Sequence, residues 1–144
     1  MTAVGRDVIS QLIPHHGSMS LLDRVVRWDG SSIDAVASSH RSTEHPLRTA
    51  GQLRAVHLCE YGAQAAALHG GLVARAAGGT AAPGYLVSLR DVTLACRRID
   101  DLAGELALRA ELLLQDSGSW QYLFAASFDG ATLATGRLAI IRRK

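Results

Sequence analysis

Cysteine, aromatic residues and long apolar runs are all scarce in this chain, and each shortage removes a class of protein. The two cysteines, Cys59 and Cys96, stand far apart without a metal-type spacing. That excludes a disulfide framework or a zinc module and leaves them as small reduced core residues. Aromatics make up 5% of the residues, and no interleaved basic and aromatic stripe, helix-turn-helix or finger motif occurs, so nucleic acid is not expected as a partner. No stretch approaches the roughly 20 apolar residues of a membrane span, and Met1 to Gly17 lacks the apolar run of a secretory signal. The expectation is a cytoplasmic protein with no membrane span. Repeats, linkers and low-complexity tracts are absent too, as is the Gly-x-Ser-x-Gly of a serine nucleophile. Cys59, next to Glu60 in a helical stretch, points away from it. His57 and Glu60 stand three apart as metal ligands can, but a site needs three or four donors and no partner motif is present, so no metal is expected.

What is abundant is apolar: 48% of 144 residues are enough for one globular domain, residues 1–144, with its own core. The net charge is only +2, carried almost entirely by arginines that cluster at Arg97-Arg98 and Arg142-Arg143-Lys144. Such clusters fit docking of an acidic partner, or simply a solubilising surface. A short amphipathic helix is read from Arg6 to Ile13, stopped by Pro14. Strands are read at Leu21–Trp28 and Ile33–Ser39, with Asp29-Gly30 as a hairpin turn that tolerates positive φ. Four more follow at Tyr85–Cys96, Glu105–Leu114, Trp120–Phe128 and Thr132–Ile141, separated by Ser117-Gly118 and Asp129-Gly130. In the fourth strand Leu106, Leu108, Ala110 and Leu112 share one face, with Arg109 and Glu111 on the other.

Between the second and third strands runs a long helix, from Leu53 to about Ala77, left by the flexible Ala76–Pro83 stretch. It is apolar nearly all the way round, and such a helix is normally buried. One flat sheet covers one side only, so the six-stranded antiparallel sheet is expected to curl around the helix, and a second subunit to cover the rest. Glu60 and Gln64 then need an explanation, because a buried carboxylate must be paired, hydrogen-bonded or protonated. At about 100° per residue, His57, Glu60, Gln64 and Arg75 fall in one sector, which an ordinary solvated face would also produce. His45-Pro46, just before the helix, adds an imidazole to the carboxylate.

These residues resemble the hot-dog-fold 3-hydroxyacyl carrier-protein dehydratases of fatty acid synthesis over nearly the whole chain. Ile13-Pro14-His15-His16-Gly17-Ser18-Met19-Ser20-Leu21-Leu22-Asp23-Arg24-Val25 resembles the family's opening Pro-His-Arg-x-Pro-(Phe/Met)-Leu-Leu-(Val/Leu)-Asp-Arg-Val. His45-Pro46 is similar to the His-Phe-Pro with the catalytic histidine, and Glu60-x-x-Ala63-Gln64 to the Glu-x-(Met/Leu)-Ala-Gln of the central helix. Cys96-Arg97-Arg98 to Gly104-Glu105-Leu106 and Gly118-Ser119-Trp120 match later family segments. The branch tied to aryl-polyene pigments is the most similar, sharing Ile-Pro-His-x-Gly-x-Met, Ser39-His40-Arg41 before Pro46-Leu47-Arg48, and Glu60-Tyr61-x-Ala63-Gln64-Ala65-x-Ala67-x-His69-Gly70.

The resemblance implies an α+β hot-dog domain that removes water from 3-hydroxyacyl chains to give trans-2-enoyl thioesters. The substrate would ride on the phosphopantetheine of an acyl carrier protein, with no further cofactor. An imidazole suits proton removal at C2, and a protonated carboxyl suits the departing C3 hydroxyl. By resemblance His45 is the base and Glu60 the acid. Gln64, one turn on, orients the acid or a water. Backbone amides around Ala55 and Val56 meet the developing enolate oxygen. His15 falls on a position with a structural hydrogen-bonding role, and His16 and His69 are read as ordinary. Arg48, Arg97 and Arg98 are the expected docking residues for the acidic carrier. Active site and tunnel lie between two subunits, which implies a homodimer or a heterodimer with a paralogous dehydratase.

The chain departs from the family at three points. Histidine and acid are fifteen apart where the family has fourteen, Glu44 replaces the glycine before the histidine, and Arg54-Ala55 replaces Pro-Gly at the helix start. Glu44 is expected to raise the pKa of His45 through its charge. His40, in the Ser-His-Arg shared with the pigment branch, is the second candidate base. Two alternative functions stay open: a non-catalytic partner that completes a paralogue's tunnel, and an acyl-thioester hydrolase on the same fold. Chain length and type of the acyl group depend on tunnel packing that spacing does not define.

Overall fold

A computed structural model of the chain describes residues 3–80 and 84–142. Ala81-Ala82-Pro83 of the helix exit and Arg143-Lys144 of the C-terminal basic cluster lie outside the described residues. Helix α1 (Arg6–Leu12) leads into β1 (Arg24–Trp28) and β2 (Ser32–Ala37), then the long helix α2 (Leu58–Ala76). Strands β3 (Gly84–Leu94), β4 (Leu106–Asp116), β5 (Ser119–Phe128) and β6 (Ala131–Arg142) complete the chain. The six strands form one antiparallel sheet in the order β1-β2-β4-β5-β6-β3. Among the described residues no helix is long and apolar enough to cross a membrane.

The expected elements are present, with two physical differences. The long helix begins at Leu58, after a 3-10 turn at Ala55–His57, so Glu60 stands in its first turn. The β1–β2 hairpin is closed by the Asp29 side chain, whose Oδ1 accepts the amides of Ser31 and Ser32 at 2.9 and 2.8 Å. Those bonds hold the Asp29 carboxyl down at about 2, and Gly30 is not among the positive-φ residues. The β5–β6 turn does use positive φ, at Asp129 (52°) and Gly130 (79°), as a two-residue hairpin favours.

The concave face of the sheet packs on α2. Leu106, Leu108 and Ala110 of β4 are buried against the helix, while Arg109 faces out and shares Asp34 of β2 with Arg27 of β1, each at 2.9 Å. The two sheet edges are unlike. The β1 edge is capped by Val4, which exchanges both backbone hydrogen bonds with Val25. The β3 edge carries Leu86, Val87, Leu89, Val92 and Leu94, all exposed, and a long apolar edge of this kind is a template for another strand.

Close approach of helix and sheet centres on Phe124 of β5, fully buried between Gly62 of α2 and Gly136 of β6. A Cβ at Gly62 would lie 2.6 Å from the Phe124 ring, and one at Gly136 the same distance. Gly62→Ala is therefore expected to lower stability by about 1–3 kcal/mol through overpacking, against the gain of up to ~1 kcal/mol that helix propensity alone gives. Denaturant unfolding of the variant reads the sign directly; a stabilised protein would contradict this packing.

Candidate active site

One face of α2 carries Glu60, Ala63, Ala67, Gly70 and Ala74, and their small side chains leave an apolar cleft of about 840 Å³ above the helix. Trp120 and Tyr122 of β5, Ile140 of β6 and Tyr85 and Leu86 of β3 form the opposite wall. From Glu60 to the helix end the face runs roughly 24 Å at the α-helical rise. Glu60 has 32% of its side chain exposed, and its Oε2 lies 3.7 Å from Nε2 of His15. Backbone amides of a first helical turn lack intrahelical acceptors and favour a carboxylate there.

Gln64 does not reach Glu60. It is fully buried, its Oε1 accepting the Leu21 amide at 2.9 Å and its Nε2 donating to the Met19 carbonyl at 2.7 Å. The expected role in orienting the acid gives way to another, because a buried amide must satisfy both ends and the loop before β1 offers the partners. The same burial rules out the solvated-face reading of His57, Glu60, Gln64 and Arg75. Fastening this loop to the helix sets His15 opposite Glu60. That contact was missed from sequence, where the histidine inside the opening motif was the available signal.

His45 and Glu60 do not meet within one chain. His45 lines a separate, polar cavity of about 290 Å³ with Arg6, Ser18, Asp23 and Ser42. Its Nδ1 accepts the Leu47 amide at 3.1 Å, so the neutral ring carries its proton on Nε2, 3.1 Å from the Tyr61 hydroxyl. Tyr61 lies 2.7 Å from Ser39 Oγ, which donates to the Leu21 carbonyl at 2.9 Å. The chain of donors thus runs from His45 through Tyr61 and Ser39 to Leu21. Burial holds the Tyr61 hydroxyl up at about 12. His45 is itself lowered, first by burial and then by the charges of Arg48, His57 and His40. The rise expected from Glu44 is not found, since that carboxylate is exposed to solvent.

His40 is completely buried, donating Nε2–H to the Leu102 carbonyl at 3.1 Å, while its Nδ1 has no partner. It carries the unengaged lone pair but no solvent access; His45 has access, with its lone pair held by Leu47.

The remaining expected site residues divide sharply. The Ala55 amide is already donated to the Arg97 carbonyl at 3.0 Å, which removes it from the enolate-stabilising set and leaves Val56 in the exposed 3-10 turn. Arg48, expected as a docking residue, clamps its own loop. Its guanidinium donates to the carbonyls of Ser42, Gly51 and His40 at 2.7, 2.7 and 3.1 Å. Arg98 is paired with Asp100, which also accepts the Leu53 amide at 2.8 Å and is held well below the usual carboxylate range by Arg98. Arg97 is exposed. Both cysteines are free thiols, and among the described residues no three His, Cys, Asp or Glu side chains gather as a metal site.

A six-stranded antiparallel sheet curled on one long helix, with a carboxyl in the wall of an apolar cleft, defines a hot-dog-fold domain. Within that class the chain belongs to the ApeP-like dehydratase family, whose profile, described as ApeP dehydratase, matches residues 8–144. No curated protein sequence matches it. Among solved structures it is similar to the dehydratase heterocomplex ApeI:P of Xenorhabdus doucetiae, with a TM-score of 0.83 and 23% identity over 94% of this chain and 91% of the other. AziG of S. sahachiroi matches at 0.66 and 16% identity over 92% and 98% of the two chains. Thioesterase superfamily member 2 of zebra fish matches at 0.67 and 14% over 96% and 95%. At these identities the likeness is one of fold.

His69 completes the buried histidines: Nε2–H donates to the Asp29 carbonyl and Nδ1 accepts the Tyr122 hydroxyl, each at 2.8 Å. Burial is the main cause lowering His40, His45 and His69 from 6.5. Below about pH 6.5 the unfolded chain therefore binds more protons than the folded one. Their contribution to stability is complete above that value and is lost as pH falls through the depressed folded values. Tm should hold from pH 8 to 7 and decline progressively toward pH 5; a flat Tm down to pH 5 would contradict neutral buried histidines.

Proposed function

We propose that the chain is a dehydratase subunit acting on 3-hydroxyacyl thioesters of an acyl carrier protein and yielding trans-2-enoyl products, in aryl-polyene or fatty-acid-type synthesis in the cytoplasm. The observation that carries this reading is the Glu60 carboxyl in the wall of an apolar cleft, in a chain of the ApeP-like dehydratase family. The cleft takes the acyl chain along the small-residue face of α2, and Glu60 protonates the leaving hydroxyl. His45 takes the C2 proton after its Nδ1 releases the Leu47 amide; His40 is the second candidate. The Val56 amide meets the enolate oxygen. Because His45 and Glu60 open into different cavities of one chain, the base of one subunit faces the acid of another, with the apolar β3 edges joined.

Enoyl formation from a 3-hydroxyacyl carrier-protein thioester tests the reading. Glu60→Gln and His45→Ala should each cost roughly 10²–10⁴ in rate, and mixing the two inactive chains should restore part of the activity. Unchanged turnover in both variants would sink the assignment. Docking of the carrier centres on Arg97, so Arg97→Glu should raise KM most at low salt; an unchanged KM would remove it from the interface.

A second reading, a partner subunit of a paralogous dehydratase, is favoured by the occupied nitrogens of His45 and by the fold shared with a protein solved as a dehydratase heterocomplex. Activity that appears only on co-purification with such a subunit would establish it. Thiol release from an acyl thioester would instead mark a thioesterase.

A further inference from the structure

We propose that His15 is the positioning and proton-holding partner of Glu60, so that the acid of this site is a carboxyl–imidazole pair. The inference rests on the dehydratase reading and states how its acid obtains a proton. Two observations carry it. His15 Nε2 lies 3.7 Å from Glu60 Oε2, both side chains lining the same cleft. The other ring nitrogen, Nδ1, is buried with no hydrogen-bond partner among the described residues, while Nε2 faces the carboxyl. The loop that follows His15 is fastened to α2 by Gln64, at Met19 and Leu21.

The chemistry needs such a partner. Burial is the usual device for keeping a catalytic carboxyl protonated near neutrality. Glu60 is a third exposed and sits in a first helical turn, where the amides favour negative charge. A histidine beside it lets the pair hold one proton in common, as charged imidazole with carboxylate or neutral imidazole with carboxylic acid. In the reaction the base takes the C2 proton, and the C2–H electron pair forms the C2–C3 double bond. The C3–O bond breaks with its pair going to oxygen, which takes the proton from the Glu60 carboxyl and departs as water. Glu60 is reloaded from His15, and His15 from solvent, to which the base returns its proton.

Other titratable or charged groups in the cleft wall, among the described residues, are Tyr85, His69, Tyr122 and Arg142. His69 and Tyr122 are bonded to each other, and Arg142 ends β6. His57 stands one turn before Glu60 and Arg75 four turns after it, and Arg75 is directed to Gln11 of α1 at 3.5 Å.

The test is the pH dependence of kcat for dehydration of a 3-hydroxyacyl carrier-protein thioester, in the assembly in which the wild-type chain turns over. His15→Gln keeps a hydrogen-bonding side chain but cannot hold the proton. Its basic limb should move toward acid by about one pH unit or more, making the loss at pH 8 on the order of tenfold while activity at low pH is largely kept. Added imidazole should recover neutral-pH turnover in His15→Ala. A profile lowered uniformly with its limb in place, and without imidazole rescue, would overturn the proposal while leaving the dehydratase reading intact. Wild-type activity in Glu60→Gln would instead remove the reading itself. If His15→Gln fails to fold by its Tm, His15→Asn is read in the same way.

Discussion

The buried amide of Gln64 is the constraint on which the candidate site depends. It holds the Leu21 amide and the Met19 carbonyl, and the Leu21 carbonyl in turn closes the chain from His45 through Tyr61 and Ser39. One residue of the loop thus joins both halves of the proposed chemistry. Its amide ties the strand approach to α2, and its carbonyl ends the donor chain that starts at Nε2 of His45, whose tautomer the Leu47 amide sets. Losing the Gln64 contacts would leave buried backbone groups unpaired, at a cost of about 1–3 kcal/mol each, and would release His15 from its place opposite Glu60.

Helix α2 divides its surface among three tasks. Gly62 and the buried leucines meet the sheet, with Phe124 as the wedge. Gln64 and Tyr61 anchor the loops that carry the histidines. The face from Glu60 to Ala74 is mostly small and apolar and lines the cleft, with Glu60 in its first turn. The division explains why the helix is apolar on most sides yet carries a polar residue in nearly every early turn.

The polar and apolar surfaces also separate the two groups of the proposed chemistry within one chain. His45 opens onto a cavity walled by serines, Asp23 and Arg6, and Glu60 onto the apolar cleft. Strand β3 leaves its apolar side chains exposed at the sheet edge. The proposed acid and base thus open on different sides of the chain, and the exposed β3 edge is where the proposed second subunit would join. Within the chain, His15 is the side chain that approaches the Glu60 carboxyl, at 3.7 Å.

Much of the architecture was legible in the residues themselves: alternation in β4, turn pairs before β5 and β6, and the unbroken apolar helix determine strands, hairpins and core. Motif order determined the family. Side-chain partners were another matter. Helical spacing placed Gln64 beside Glu60, yet the amide turns to Met19 and Leu21, and spacing gave no hint that His15 meets the carboxyl instead. Arg48 reads as a free surface charge but clamps three carbonyls of its own loop, and the Ala55 amide is taken by Arg97. The reason is physical: secondary structure follows from local periodicity along the chain. Which polar atoms meet is decided by the need to satisfy every buried donor and acceptor, and only the folded loops set who is within reach.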